Sequence, residues 1–411
     1  MRIIVDENIP FGREAFGRLG EVVTMHGRRM DAAAVRDADL LIIRSITKVN
    51  RELLEGSRVR FVGTCTIGTD HVDEAYLRER GIAFASAPGC NANSVAEYIV
   101  CSLLVLAKRG GYRLEGKSIG VVGVGNVGSK VVTKCEALGM RVLQNDPPLA
   151  RLFPCEKRFL PLEALMDSDF ISLHVPLTKT GEDKTWHMAD AAFLKRMKSG
   201  ATLLNTCRGA VLDNAAARWI ATSGRDCGCV VTESRPEVAI HLNSLILDVW
   251  EGEPSVSAEL VAASALGTPH IAGYSYDGKV NGTTMVYQAA CKFVQSRTGV
   301  PPVSSSSMDR RDACPTLAMP PSPHASLTVD ATGRSDEDVL REVALTVYDI
   351  EADDRRLRAI AGLPAGERGA YFDRLRKEYP QRREFQNSTI TLRGGSVTVR
   401  QKLAGVGFKL E

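Results

Sequence analysis

No charge of one sign dominates this chain of 411 residues: 52 lysines and arginines stand against 49 aspartates and glutamates, a formal net charge of +3. That balance gives no broad basic stripe for nucleic acid, while leaving room for a local basic pocket that takes an anionic metabolite. No apolar run reaches the roughly 20 residues that a bilayer span needs. The most apolar helix candidate, 95–108, is shorter and carries Glu97, so it reads as a buried core helix. The ten cysteines lack a disulfide spacing. Most stand singly in apolar segments (Cys65, Cys101, Cys135, Cys291), which points to free thiols in a reducing compartment. Cys227 and Cys229 have no second ligand pair, so no metal site is expected. Residues 1–7 read as a strand entering a loop rather than a secretory leader, and the expectation is a cytoplasmic protein.

What is present is an ordinary globular composition, 44% hydrophobic and 25% charged, long enough for two to three domains at about 150 residues each. Short apolar runs at 3–5, 40–43 and 60–63 alternate with helical patterns, the signature of a parallel sheet with crossover helices. A second series starts near Lys117, with strands at 118–122, 140–144, 170–174, 201–205 and 245–249. Its first helix runs to about Leu138, and Gly139 ends it. The stretch 224–243 sits where such a unit allows a loop of about two to six residues, so it reads as a surface insertion. Residues 301–323, rich in proline and serine, read as a linker. Beyond it a helix over 335–350 capped by Ser335, a helix over 371–379, and short strands at 389–392 and 396–401 make a separate small α+β domain.

Gly123-x-Gly125-x-x-Gly128 follows a strand and opens a helix, the context that gives this motif meaning. Gly123 serves the tight turn, Gly125 lets the backbone approach a pyrophosphate, and Gly128 lets the helix pack on the sheet. Unpaired N–H groups at the helix start attract the phosphates. Asp146, at the end of the next strand, suits the ribose hydroxyls and repels a 2′-phosphate, so the expected cofactor is NAD.

Hydride transfer to NAD+ from an alcohol needs a base for the hydroxyl proton, a cation for a neighbouring carboxylate, and a carboxylate to orient the base. Of the seven histidines, His270 in Thr-Pro-His-Ile-Ala-Gly is the best-placed base, although the local pattern alone suits a structural histidine equally well. His71 reads as a loop histidine, and His174, at a strand end, as a cofactor neighbour. Arg208 and Glu253 each follow a predicted strand, where ligands of open α/β sheets bind.

Together the glycine motif with its distal aspartate, the run Asn205-Thr206-Cys207-Arg208-Gly209-Ala210, the run Asp248-Val249-Trp250-Glu251-Gly252-Glu253-Pro254, and Thr268-Pro269-His270-Ile271-Ala272-Gly273 resemble the D-2-hydroxyacid dehydrogenase family. The resemblance implies an α/β fold: a Rossmann-type NAD domain at 96–267 and a flavodoxin-like substrate domain from 1–95 and 268–298. It adds a linker at 299–325 and a small C-terminal α+β dimerisation domain at 326–411. It implies Arg208, Glu253 and His270 as the catalytic set. The cofactor would be held by Gly123, Gly125, Asn126, Val127, Gly128, Asp146, Val175, Thr206, Cys207, Asp248 and Gly273.

Within that family the ends of the chain are similar to members that oxidise 4-phospho-D-erythronate on the way to pyridoxal 5′-phosphate. The similar segments are Val5-Asp6-Glu7-Asn8-Ile9-Pro10, Arg44-Ser45-Ile46-Thr47-Lys48, Pro88-Gly89-Cys90-Asn91-Ala92 and the C-terminal run from Phe372 to Tyr379 with Arg382-Arg383-Glu384. This implies substrate contacts at Arg44, Ser45, Thr66 and Tyr274, with Lys48 open between a phosphate ligand and a solvated lysine. It also implies a homodimer with a small phosphorylated 2-hydroxy acid as its substrate, and neither nucleic acid nor membrane as a partner. A 3-phosphoglycerate or glyoxylate type of dehydrogenase, or a non-catalytic NAD-sensing protein on the same fold, are the competing readings. The insertion at 224–243 and the long linker depart from the family pattern.

Overall fold

The structure is a computed structural model that describes residues 1–223, 244–297 and 325–411. The expected insertion with Cys227, Cys229 and His241, and the linker with His324, lie outside the described residues. Two compact units form: one from Met1–Asn91 with the helix Tyr276–Arg297, the other from the described part of Ala92–Tyr274 with residues 325–411.

The first unit is a five-stranded parallel sheet of β1 (Arg2–Asp6), β2 (Glu21–Met25), β3 (Leu40–Ile43), β4 (Phe61–Thr64) and β5 (Ala83–Ala85), in the order β2-β1-β3-β4-β5. That is the flavodoxin-like order expected from the resemblance. Leu40, Leu41, Ile42 and Ile43 are all fully buried. A strand covered on both faces explains why the sequence shows a continuous apolar run rather than alternation.

The second unit holds β6 (Ser118–Val122), β7 (Arg141–Asn145), β8 (Phe170–Leu173), β9 (Thr202–Asn205), β10 (Ser244–Leu247) and β11 (Leu266–Gly267), all parallel, in the order β11-β10-β9-β8-β6-β7. An isolated parallel bridge from Gln144 to Phe159 extends the β7 edge, where a dinucleotide fold places a further strand. The strand order reverses between β6 and its neighbours β7 and β8, which puts the glycine motif at the switch point. The apolar helix expected at 95–108 runs from Ala92 to Gly110 and is buried almost all round.

The C-terminal residues mix helices and strands, and the strands β12 (Ala325–Asp330), β13 (Ser388–Arg393) and β14 (Lys409–Leu410) run parallel with helices in the crossovers. Ser335 caps the helix Asp336–Val347 through its side chain. The helix expected at 371–379 begins earlier, at Ala365. The strand expected at 396–401 is instead the helix Val397–Val406, which Ser396 caps by accepting the Val399 N–H. β-Branched Val397, Thr398 and Val399 imitate a strand, but the serine cap and the burial of Val399, Leu403 and Val406 on one face win.

These residues share one core with the NAD sheet: Val343, Leu403 and Val406 pack in the same cluster as Ile99, Leu103, Val131 and Cys135. A buried polar cluster crosses the same boundary. Glu97 accepts the Phe385 N–H at 2.9 Å and an Asn93 amide at 2.8 Å, Ser94 donates to Glu384 at 2.6 Å, and Lys134 lies 3.9 Å from Glu97. Burial pushes the Glu97 carboxyl up to about 8 and pulls the Lys134 ammonium down, so neither charge is comfortable without the other. Among the described residues no helix is long and apolar enough to cross a membrane.

Candidate active site

β6 delivers the chain to Gly123, whose φ of +86° and closeness to His174 leave no room for a side chain: a Cβ there would lie 2.6 Å from the His174 carbonyl oxygen. At Gly128 a Cβ would fall 1.9 Å from the Gly123 oxygen, so the helix Asn126–Ala137 is seated against the strand end. Gly125 is the opposite case, with nothing within 4 Å of the Cβ position. The helix N-terminus therefore faces open space that a pyrophosphate could enter. Asp146 closes this loop: one carboxylate oxygen accepts the Val124 N–H at 2.8 Å and the other caps the next helix at Leu149, 3.0 Å away. Each carboxylate oxygen keeps a second lone pair, so these loop and cap contacts leave room for the expected ribose hydroxyls.

Around this cradle stand the other expected cofactor positions. Val175 lies against Gly123. The Thr206 hydroxyl is buried without a hydrogen-bond partner. Cys207 donates its thiol to Asn205 Oδ1 at 3.1 Å, and burial pushes that thiol up to about 11, so it is not a nucleophile near neutrality. His174 is paired with Ser172 at 2.8 Å, and burial pulls it down to about 3, which keeps it neutral and excludes it as a proton acceptor. The residues present fit a dinucleotide: a turn without side chains, an open helix N-terminus, a carboxylate for hydroxyls and an unpaired buried hydroxyl.

The three residues expected to do chemistry follow three adjacent parallel strands. Arg208 comes after β9, Glu253 after β10 and His270 after β11, so all three rise from the same sheet edge. Gly209 lies so close to Trp250 and Glu251 (2.1 Å from a Cβ to the Trp250 carbonyl carbon) that the arginine and glutamate loops are in direct contact. His270 Nδ1 is 2.7 Å from Glu253 Oε2, and the other oxygen, Oε1, accepts the Trp250 N–H at 2.7 Å.

His270 itself has a φ of +57°, a left-handed backbone that costs a non-glycine residue about 1–3 kcal/mol. The loop is held there by Asp248. That carboxylate is fully buried and accepts from the Thr268 hydroxyl at 2.7 Å, the Ile271 N–H at 2.7 Å and the Ala272 N–H at 2.9 Å. Burial raises the Asp248 carboxyl, and these donors together with His270 oppose that rise. Asp248, expected as a cofactor neighbour, is therefore also the peg around which the histidine loop is wound. No local sequence pattern signals this second role.

In the first unit the expected substrate residues occupy loops after β3 and β4. Arg44 donates to the Asn8 carbonyl at 3.1 Å, while Ser45 and Lys48 are exposed. Thr66 donates to the Gly68 carbonyl at 3.1 Å, so in the 2.7 Å contact with Thr64 the Thr64 hydroxyl is the donor. The 3.0 Å contact from His71 Nε2 must then bring a proton to Thr64. His71 is the end of a loop-fixing chain, the structural part foreseen for it, and burial lowers its pKa.

Residues 105–237 match the D-isomer specific 2-hydroxyacid dehydrogenase, NAD binding domain, and residues 319–407 match a domain of unknown function. An erythronate-4-phosphate dehydrogenase from Cronobacter sakazakii is 45% identical over 388 residues, 94% of this chain and 93% of that protein. One from Salmonella paratyphi B is 43% identical over 409 residues, 99% and 98% of the two. A D-lactate dehydrogenase structure from Aquifex aeolicus, complexed with NAD and lactic acid, shares the fold with a TM-score of 0.57 and 24% identity, covering 73% of this chain and 99% of that one. Likeness of this degree along nearly the full length of both chains means that the protein is an NAD-dependent dehydrogenase belonging to the erythronate-4-phosphate dehydrogenase family.

Proposed function

We propose that the protein oxidises 4-phospho-D-erythronate to 3-hydroxy-2-oxo-4-phosphooxybutanoate with NAD+, a step toward pyridoxal 5′-phosphate. The observation that carries this reading is the 2.7 Å pair of His270 and Glu253 on the sheet edge that also bears Arg208. Bound NAD+ supplies the hydride acceptor. His270, with Nδ1–H directed at Glu253, presents Nε2 as the base for the C2 hydroxyl proton. Glu253 balances the positive charge that the imidazole then gains. Arg208 pairs with the substrate carboxylate and the C2 oxygen.

In the first unit, Arg44 and Ser45 suit the terminal phosphate. Because the Thr66 hydroxyl proton is engaged by Gly68, Thr66 contributes through the backbone N–H groups of its loop. The family resemblance supports a homodimer in the cytoplasm.

A substrate panel followed by NADH absorbance tests this reading. We expect the highest kcat/KM with 4-phospho-D-erythronate. Faster turnover of 3-phosphoglycerate would replace the substrate, and NAD binding without turnover of any 2-hydroxy acid would replace the activity.

A further inference from the structure

The histidine loop does not stand on the NAD sheet alone. The Gly267 N–H, just before it, donates to Asp354 at 2.8 Å. The Ala272 carbonyl, just after it, accepts from Arg382 at 2.5 Å. The Tyr274 hydroxyl accepts from Arg376 at 3.0 Å. On the glutamate side, Gly369 lies against the residues after Glu253, where a Cβ would be 3.5 Å from Pro254 and 3.4 Å from Ser255. Every one of these contacts comes from the C-terminal residues of the same unit.

Asp354, Arg382 and Gly369 meet backbone or packing and would serve any tight interface. Arg376 differs. It brings a permanent positive charge to a half-buried position, and its Nε has no partner. The guanidinium carbon lies 5.7 Å from the centre of the Tyr274 ring. Tyr379 packs edge-on against the same ring at 6.0 Å and 81°. Burial alone would lower the Arg376 pKa, but attraction to Tyr274 and Glu253 outweighs it.

We propose that Arg376 is a positioning residue for the dehydrogenase reaction, fixing the Tyr274 phenol through its hydrogen bond and ring contact, so that the C-terminal residues complete the active site. An arginine only donates, so the phenol oxygen accepts from Arg376 and turns its own proton away from the guanidinium. Toward a substrate oxygen the phenol can then act only as a donor. The inference rests on the reading that Tyr274 meets substrate and that His270 and Glu253 act as a pair.

The test uses the full-length protein and whichever 2-hydroxy acid the wild type oxidises fastest, so a wrong substrate assignment shows in the wild type and not in the variants. Arg376→Gln should lower kcat by about ten- to a hundredfold. It should also raise the KM for the 2-hydroxy acid while leaving the KM for NAD nearly unchanged, because the phenol is no longer held in place. In a Tyr274→Phe background the same change should cost clearly less, as expected for residues acting together. Arg376→Lys, which still carries a donor for the phenol, should recover part of kcat. It also supplies the reading if the glutamine variant does not fold. A glutamine variant that melts lower but keeps the wild-type kcat and substrate KM, or one that costs as much in the Tyr274→Phe background as in the wild type, would overturn the proposal.

Discussion

Glu253 is fastened at both oxygens, by His270 Nδ1 on one and the Trp250 N–H on the other, each at 2.7 Å. A carboxylate only accepts, so both partners must donate, and the imidazole is held as the Nδ1–H tautomer. Glu253→Gln removes one acceptor and the charge while keeping the shape. The amide nitrogen then faces a donor whichever way it turns. We expect kcat to fall about a hundredfold with the KM for NAD nearly unchanged, and His270→Ala to cost about 10²–10⁴ in kcat. Steady-state NADH formation measures both. A glutamine variant that retains the wild-type rate would remove the carboxylate from the proposed reaction.

Asp248→Asn probes the peg beneath the histidine loop. The carboxylate takes three donors, and an amide must point its own N–H₂ at one of them. Leaving one buried N–H unsatisfied costs about 1–3 kcal/mol. The strained backbone of His270 has less to hold it in place, so activity should fall as well as melting temperature. Thermal melts in parallel with kcat check this, and a variant stable as wild type would show that the loop holds its shape without Asp248.

How far the sequence revealed this site depends on where each interaction is local. The glycine motif, its strand and Asp146 lie within one βαβ unit, so spacing alone carried them. Arg208, Glu253 and His270 lie far apart in sequence and became legible as a set only through the family resemblance. Their meeting depends on β9, β10 and β11 being neighbours, which no local pattern states. Arg376 and Gly369 were visible as residues but not as parts of the site, because their role is a contact between segments about a hundred residues apart. The helix Val397–Val406 imitates a strand for a local reason: the three β-branched residues at its start stand out more in the sequence pattern than its serine cap.

Asp146→Ala separates the helix cap of this carboxylate from the ribose contact expected of it. Loss of the cap on Leu149 should cost about 1 kcal/mol of stability. Loss of the acceptor for the ribose hydroxyls should raise the KM for NAD about tenfold. With the negative charge gone, discrimination against NADP should narrow at the same time. Initial rates with both cofactors and a melting curve test the three effects. If NADP is used no better relative to NAD, the carboxylate does not face the 2′ position.

His174 gives the protein an acid-sensitive element. Burial holds its imidazole at about 3, against 6.5 for an ordinary histidine. Above pH 6.5 both folded and unfolded chains carry it neutral, and its contribution to stability is fully present. Between pH 6.5 and about 3 the unfolded chain binds a proton that the folded one refuses, so stability falls as the pH falls. By pH 5 the loss is about 2 kcal/mol, from one and a half units at about 1.4 kcal/mol each. His174→Gln places an uncharged amide beside Ser172, its partner at 2.8 Å. The variant should lose less stability than wild type between pH 7 and pH 5, with every other titrating group common to both. Urea unfolding at the two pH values measures the difference. Equal losses in the two proteins would mean that the histidine takes up its proton in the folded state.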